Sequence, residues 1–191
     1  MKSLPLAKVY QLIEPGPVVL LATARGGRNH VMTPNVMTPN VMTPNVMTMS
    51  WHMMVEFEPP LIACVVSGAD YSFAALRATR ECVIAIPSRK LLKQVVAVGN
   101  STGAEIDKFK AFGLTPRPAK KVRAPLIAEC FANLECRVAD TRLVNRYNLF
   151  ILEVVQAWID PRQKNPKTLH HRGFGKFAVD GPVITTGSKM R

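Results

Sequence analysis

Residues 31–45 spell Val-Met-Thr-Pro-Asn three times, and a fourth Val-Met-Thr at 46–48 runs on into Met49, Ser50 and Trp51. No feature of the chain restricts its local structure more. Proline at 34, 39 and 44 removes one backbone donor per unit and pushes the preceding threonine toward an extended conformation. A period of five suits neither regular element. On a strand it turns the side chain to the opposite face at each copy, and on a helix it drifts by about 140°. Thr-Pro-Asn-Val is also a turn signal, with proline second and asparagine third. Each unit therefore reads as a short extended piece and a bend, and three copies are too few for a solenoid. Excision of the three units leaves the continuous text RNHVMTMSW, which points to a tandem duplication within an existing strand.

Outside the repeat, strand-length apolar runs dominate. Residues 18–24 (VVLLATA), 61–66 (LIACVV) and 81–86 (ECVIAI) are such runs. Residues 134–140 (LECRVAD) alternate, with Leu134, Cys136 and Val138 on one face and Glu135 and Arg137 on the other. Residues 148–159 (NLFILEVVQAWI) are apolar on both faces and predict a central, doubly covered strand. Helices are expected over 72–79, 90–98 and 104–112, the last capped by Thr102 and Glu105, and a short amphipathic one at the N-terminus. Several short strands with helices as connectors imply a mainly β, closed-barrel single domain spanning 1–191, with 31–45 as an insertion.

With 191 residues, 48% of them apolar and 20% charged, the chain can bury a core of its own. No apolar run is long enough to span a bilayer, and the N-terminus lacks a signal-peptide core. Cys64, Cys82, Cys130 and Cys136 have no metal-type spacing and read as buried, reduced thiols, consistent with the cytoplasm. The net charge of +12 favours a phosphate-bearing ligand, although Lys and Arg spread along a chain also serve simply as a solvated surface. The densest stretch, RPAKKVR at 117–123, has no interleaved aromatic residue, and nucleic acid is not the expected partner.

Dinucleotide, phosphate-loop and nucleophile-elbow motifs are missing. His170 and His171 are adjacent, so on a strand they would point to opposite faces and make a poor metal pair. Thr48, Ser50 and Trp51 end an apolar strand with hydrogen-bonding groups and a flat ring, which suits a planar heteroaromatic ligand. Residues 67–72 (SGADYS) and 100–103 (NSTG) place hydroxyls at expected helix starts, with Lys108 beyond the second. Hydroxyls at such positions are usually plain caps. Together with a lysine they could hold a phosphate carried on a ring.

The text VMTMSWHMMVEFEPPLIACVVSGADYSF, then RATRECVIAIP, VGNSTGAEIDKFKAFGLTP, APLIAECFANLECRVADT and LFILEVV resembles the flavin reductase-like FMN-binding split-barrel family, which includes flavoredoxins. The resemblance runs from about residue 18 to residue 181. It implies a Greek-key split β-barrel, a homodimer, FMN near the dimer interface, and NADH or NADPH as transient electron donor. Matched position by position, Asn45, Val46, Met47, Thr48, Met49, Ser50 and Trp51 would line the isoalloxazine. Ser67, Tyr71 and Ser72 would lie near the phosphate and ribityl chain. Asn100, Ser101, Thr102 and Lys108 match a further motif, whose lysine would either neutralise the phosphate or sit near the flavin pyrimidine side, where a cation favours the anionic reduced ring. The stretch 170–177, with His171, would close over the site. Tyr147 stands where many members of the family carry histidine. The flavin supplies the hydride chemistry in such proteins, so no catalytic acid or base is expected.

Three functional readings follow: an FMN-dependent reductase, a flavin-binding electron carrier that needs a partner reductase, and a barrel whose site the duplication has damaged. The repeat likewise admits three arrangements. The last Val-Met-Thr holds the strand while 31–45 bulges out, which is the reading adopted; the first copy holds it; or the copies pair with one another or with a second chain. The adopted arrangement predicts that deleting 31–45 leaves FMN affinity nearly unchanged.

Overall fold

The computed structural model describes residues 1–26 and 42–187. Twelve strands and five helices follow in chain order. β1 (Lys2–Leu4), α1 (Tyr10–Ile13) and β2 (Val19–Gly26) precede the repeat, and β3 (Met42–Met49), β4 (His52–Phe57) and β5 (Pro60–Val65) follow it. Next come α2 (Tyr71–Thr79), β6 (Glu81–Ile86), α3 (Leu92–Gly99) and α4 (Lys108–Ala111). The chain continues with β7 (Pro116–Arg117), β8 (Leu126–Ile127), β9 (Ala132–Asp140), α5 (Val144–Tyr147) and β10 (Leu149–Ile159). A hairpin of β11 (Leu169–His171) and β12 (Phe177–Val179) ends the ordered elements.

The main sheet runs β3-β2-β6-β9-β10-β5-β4, antiparallel throughout, with β1 beside β10. Its two ends, β3 and β4, are consecutive in sequence and joined only by Ser50 and Trp51. The sheet therefore curls until its ends meet at that link, as the split-barrel expectation requires. A hydrogen bond of 2.7 Å between His52 Nε2 and Pro17 O ties the first residue of β4 to the approach to β2 across the split. Alternation along each strand builds two apolar layers. Leu21, Ile62, Ile84, Leu134, Cys136, Phe150 and Leu152 fill the barrel. Leu20, Ala22, Val83 and Ala85 face the other way, beneath Val95 and Val98 of α3 and Phe109 of α4.

Several expectations change. The doubly covered strands are β2 and β6, whereas β10 is central but alternates buried and half-buried positions. The N-terminal segment begins as a strand and contributes only a four-residue helix. The predicted helix over 104–112 shrinks to α4, because Asp107, not Thr102, caps it by accepting from Lys110 N at 3.1 Å. Ser101 lies just past the end of α3, where its hydroxyl donates back to Ala97 O at 2.9 Å. Glu135 faces away from Leu134 as expected, yet it is completely buried, roofed by the 117–123 loop and Trp158.

The repeat resolves in part. Val46, Met47 and Thr48 pair with Ala22, Leu21 and Leu20, so the last copy does occupy the strand. The third unit, however, does not leave it. Met42, Thr43, Pro44 and Asn45 extend β3 opposite Gly26, Arg25, Ala24 and Thr23. Pro44 is tolerated because β3 ends the sheet, where the missing donor disrupts no ladder on the outer side. The expectation for 31–41 lies outside the described residues.

This register alters the deletion experiment. Removing 31–45 would bring His30 into the place of Asn45, whereas removing only 31–40 restores the identical strand sequence. The ten-residue deletion is expected to keep FMN affinity within about twofold. The fifteen-residue deletion should lose about tenfold, roughly the value of one buried hydrogen bond and its unpaired partner. Fluorescence titration of FMN against the three chains measures both.

Candidate functional site

Two cavities flank β3. The smaller, of about 150 Å³, lies between β3, the loop entering α2 and the loop between α3 and α4. Asn45, Met47 and Thr48 line it from the strand, and Tyr71 and Ser72 from the start of α2. Ser101, Thr102 and Lys108 close it from the far side. The larger, of about 300 Å³, takes Thr48 and Ser50 from the strand end, Val95, Gly99 and Asn100 from α3, and His171, Gly175 and Phe177 from the terminal hairpin. Thr48 and Gly99 line both, so the cavities meet over the middle of β3.

The small cavity is polar and held rigidly. Asn45 is buried, and its Nδ2 donates to Ser72 Oγ at 2.8 Å. Thr48 Oγ1 donates to Val95 O at 2.6 Å, which ties α3 to the sheet edge. Gly103 passes so close that a Cβ there would stand 2.6 Å from Asn45 Cγ and 2.8 Å from Tyr71 Cδ1, so only glycine lets the loop close over the strand. Asp70 turns back into its own loop, where Oδ2 accepts from Ser67 N at 3.1 Å.

Lys108 dominates the electrostatics. It is only 5% exposed, and its Nζ donates to Val98 O at 3.0 Å. Burial strips water from the ammonium and pushes its pKa below the ordinary lysine value, an effect that Asp70 partly offsets. A buried ammonium with three donors and, among the described residues, one neutral carbonyl partner is poorly compensated. An anion in the cavity would complete it. Phosphate, with several acceptor oxygens, matches both the lysine and the surrounding hydroxyls.

Of the sequence-predicted site residues, Asn45, Met47, Thr48, Tyr71, Ser72, Ser101, Thr102 and Lys108 converge on the small cavity, and Thr48, Ser50, Asn100 and His171 on the large one. Four do not join them. Val46 is fully buried in the apolar layer beneath α3 and α4. Met49 turns into the barrel and packs with the core, because it shares the inward phase of β3 at the point where the barrel closes. Trp51 is 72% exposed and points outward, since His52 takes the inward position opposite Cys64 and alternation sends Trp51 to the other face. Ser67 lies in the exposed turn before α2, its Oγ occupied by Ala69 N at 3.2 Å. Gly103 and Val95 were not foreseen. Gly103 stood within a quoted motif, but its closeness to Asn45 is a long-range contact, and Val95 acts through its backbone carbonyl, which no residue type signals.

A family profile described as "Flavin reductase like domain" matches residues 13–178. A protein of Archaeoglobus fulgidus is 34% identical over 141 residues, covering 74% of this chain and 80% of its own length. Among solved structures, an FMN-binding domain of a flavin reductases-like enzyme from Shewanella baltica superposes with a TM-score of 0.83 at 23% identity, covering 97% of both chains. Flavoredoxin of Desulfovibrio vulgaris gives a TM-score of 0.75 at 22% identity over 91% of both chains.

Proposed function

The chain belongs to the flavin reductase-like domain family, and from that premise we propose that it binds FMN and passes electrons from NADH or NADPH to flavin, or through flavin to an acceptor. The observation that carries this reading is the buried, under-compensated Lys108 in a polar cavity that opens into a larger, more apolar one. That division matches the two halves of FMN. Lys108, Ser72, Ser101 and Thr102 would hold the phosphate end; Thr48, Ser50, Asn100 and His171 would border the ring. Bound FMN supplies the hydride-accepting ring that no side chain here can replace. The protein's own part is to fix the ring against β3, exclude water between α3 and the hairpin, and neutralise negative charge.

Purified protein should be yellow or turn yellow on FMN addition, and should oxidise NADH or NADPH with added flavin. Colourless protein that fails to bind FMN sinks the reading. Binding of FMN without steady nicotinamide oxidation favours the electron carrier that depends on a partner reductase.

We further propose a homodimer. Trp51, Met53, Val55 and Phe57, at alternate positions along and just before the terminal strand β4, are all between 48 and 72% exposed. Trp51, Met53 and Val55 make an unprotected apolar row on a sheet edge that a second copy would cover, whereas Phe57 lies beyond a bulge in β4 and packs edge-on against Tyr10 at 5.1 Å. Met53→Lys is expected to convert a dimer to monomers by light scattering at micromolar concentration; a monomeric wild type would count against the contact. No helix among the described residues is long and apolar enough to cross a membrane. The four buried, unpaired thiols suit the reducing cytoplasm, which we propose as the compartment.

A further inference from the structure

The terminal hairpin is anchored at one end and strained at the other. At its base, Val18 N donates to Leu169 O at 2.6 Å, and His170 is held between Gly16 O at 3.1 Å and Asp180 Oδ1 at 2.6 Å. Thr168 N donates to Asp180 Oδ2 at 3.0 Å, completing the clasp. At the tip, Gly173, Phe174 and Gly175 have φ of +86°, +48° and +72°. Glycine adopts such values freely, but phenylalanine rarely does. The Phe174 side chain is also fully exposed, at 103% of its reference area. Within the described chain nothing offsets either the left-handed backbone or the aromatic surface left in water.

Position gives this tip a use. His171 and Phe177, on the two strands below it, and Gly175, its immediate neighbour, line the larger cavity. His171 and Phe177 pack as a tilted aromatic pair with centroids 5.4 Å apart. Arg172 and Lys176 face each other across the neck of the turn, with Arg172 N donating to Lys176 O at 2.8 Å, and both are exposed. The result is an exposed aromatic ring flanked in sequence by two cations, in a turn that borders the larger cavity through Gly175.

We propose that this tip is the recognition element for the second substrate, a planar ring bearing nearby negative charge, of which a reduced nicotinamide dinucleotide is the member expected here. Phe174 stacks on the ring, and Arg172 and Lys176 take the phosphates. The inference rests on the flavin reading above and assigns the specificity of that same site. Phe174 is a substrate-binding residue: it would touch the incoming substrate while leaving FMN held by β3, α2 and α3.

The test uses the full-length FMN-loaded protein and its Phe174→Ala, Phe174→Trp and Arg172→Ala/Lys176→Ala variants. FMN titration comes first; a wild type that fails to bind FMN overturns the flavin reading itself and this inference with it. With FMN bound, Phe174→Ala is expected to raise KM for NADH or NADPH about tenfold, with kcat and the Kd for FMN within about twofold. Phe174→Trp should restore KM. The double charge variant should raise KM and flatten its dependence on salt, since exposed cations act through screened attraction. An unchanged KM in Phe174→Ala overturns the proposal. So does a parallel loss of FMN affinity, which would make the tip a flavin lid, or a fall from dimer to monomer, which would make it a subunit contact.

Discussion

Replacing Lys108 by methionine is expected to weaken FMN binding by about 30- to 100-fold while leaving the apoprotein at least as stable as the wild type. The two effects have opposite signs for one physical reason. In the free protein the buried ammonium is a liability: it has lost water and gained only Val98 O and the distant field of Asp70. Methionine keeps most of the stem's volume and removes the charge. A phosphate in the cavity turns the liability into an asset, because charge-assisted hydrogen bonds in a partly dry site are worth about 2–3 kcal/mol. The pH dependence carries the same signature. The folded pKa of Lys108 lies below the ordinary lysine value of 10.5, so the unfolded chain binds more protons in that window, and apoprotein stability rises with pH there. FMN affinity behaves oppositely. It is full while Lys108 is protonated and falls as pH climbs through the depressed pKa, before 10.5 is reached. Titrations of wild type and Lys108→Met at several alkaline pH values, beside thermal melts of both apoproteins, separate these expectations. A variant that binds FMN as tightly as wild type would move the phosphate elsewhere.

The second large effect is one of stability. Glu135 is wholly buried, yet its carboxylate accepts from Lys120 N at 3.0 Å, from Lys121 N, and from the Trp158 indole at 2.6 Å. The 117–123 loop is thus fastened largely through its backbone, while Arg117, Lys120 and Lys121 extend into solvent and Arg123 Nε donates to Glu81 Oε2 at 2.8 Å. Glu135→Leu would leave three partly buried donors without their acceptor. At about 1–3 kcal/mol for each unsatisfied group, with partial relaxation, the loss should be about 4 kcal/mol, or roughly 8–16 °C in melting temperature for a chain of this size. Glu135→Gln restores shape but turns an amide N–H₂ toward donors, and should recover less than half of that loss. Thermal melts followed by circular dichroism decide it. A shift of under about 2 °C for Glu135→Leu would mean that water satisfies the loop amides instead.

The same carboxylate marks where sequence stops being legible. Alternation placed Glu135 on the face opposite Leu134 correctly, but the alternation cannot say what covers that face, and a loop fifteen residues upstream does. Strand positions were readable because apolar runs of the right length and period have few alternatives. Which strands are covered twice was not, since that depends on where α3 and α4 come to rest. The candidate site divides similarly. Eleven residues named from the motif strings do meet around β3, because a motif preserves order and spacing along elements that the fold brings together. Met49 and Trp51 are exceptions of a kind that strings cannot express: they sit where one strand ends and the next begins on the opposite side of the split, and their direction is set by barrel closure. Ser67 was spent on its own turn, a local alternative open to any serine before a helix.

One property of β3 bears on inheritance. A slide of the strand by one unit would present residues 37–44 in place of 42–49, and the two octets differ only at the last position, where Pro44 would replace Met49. Seven of eight alignment positions are therefore degenerate, cavity-lining ones included. Met49, buried in the barrel, together with the short tether through Ser50 to the His52–Pro17 bond, is what distinguishes one alignment from the other. Copy number above one can then drift without altering any side chain that β3 offers to the site. Gains or losses of fifteen nucleotides would lengthen or shorten only the connection from β2, leaving β3 chemically the same from one generation to the next.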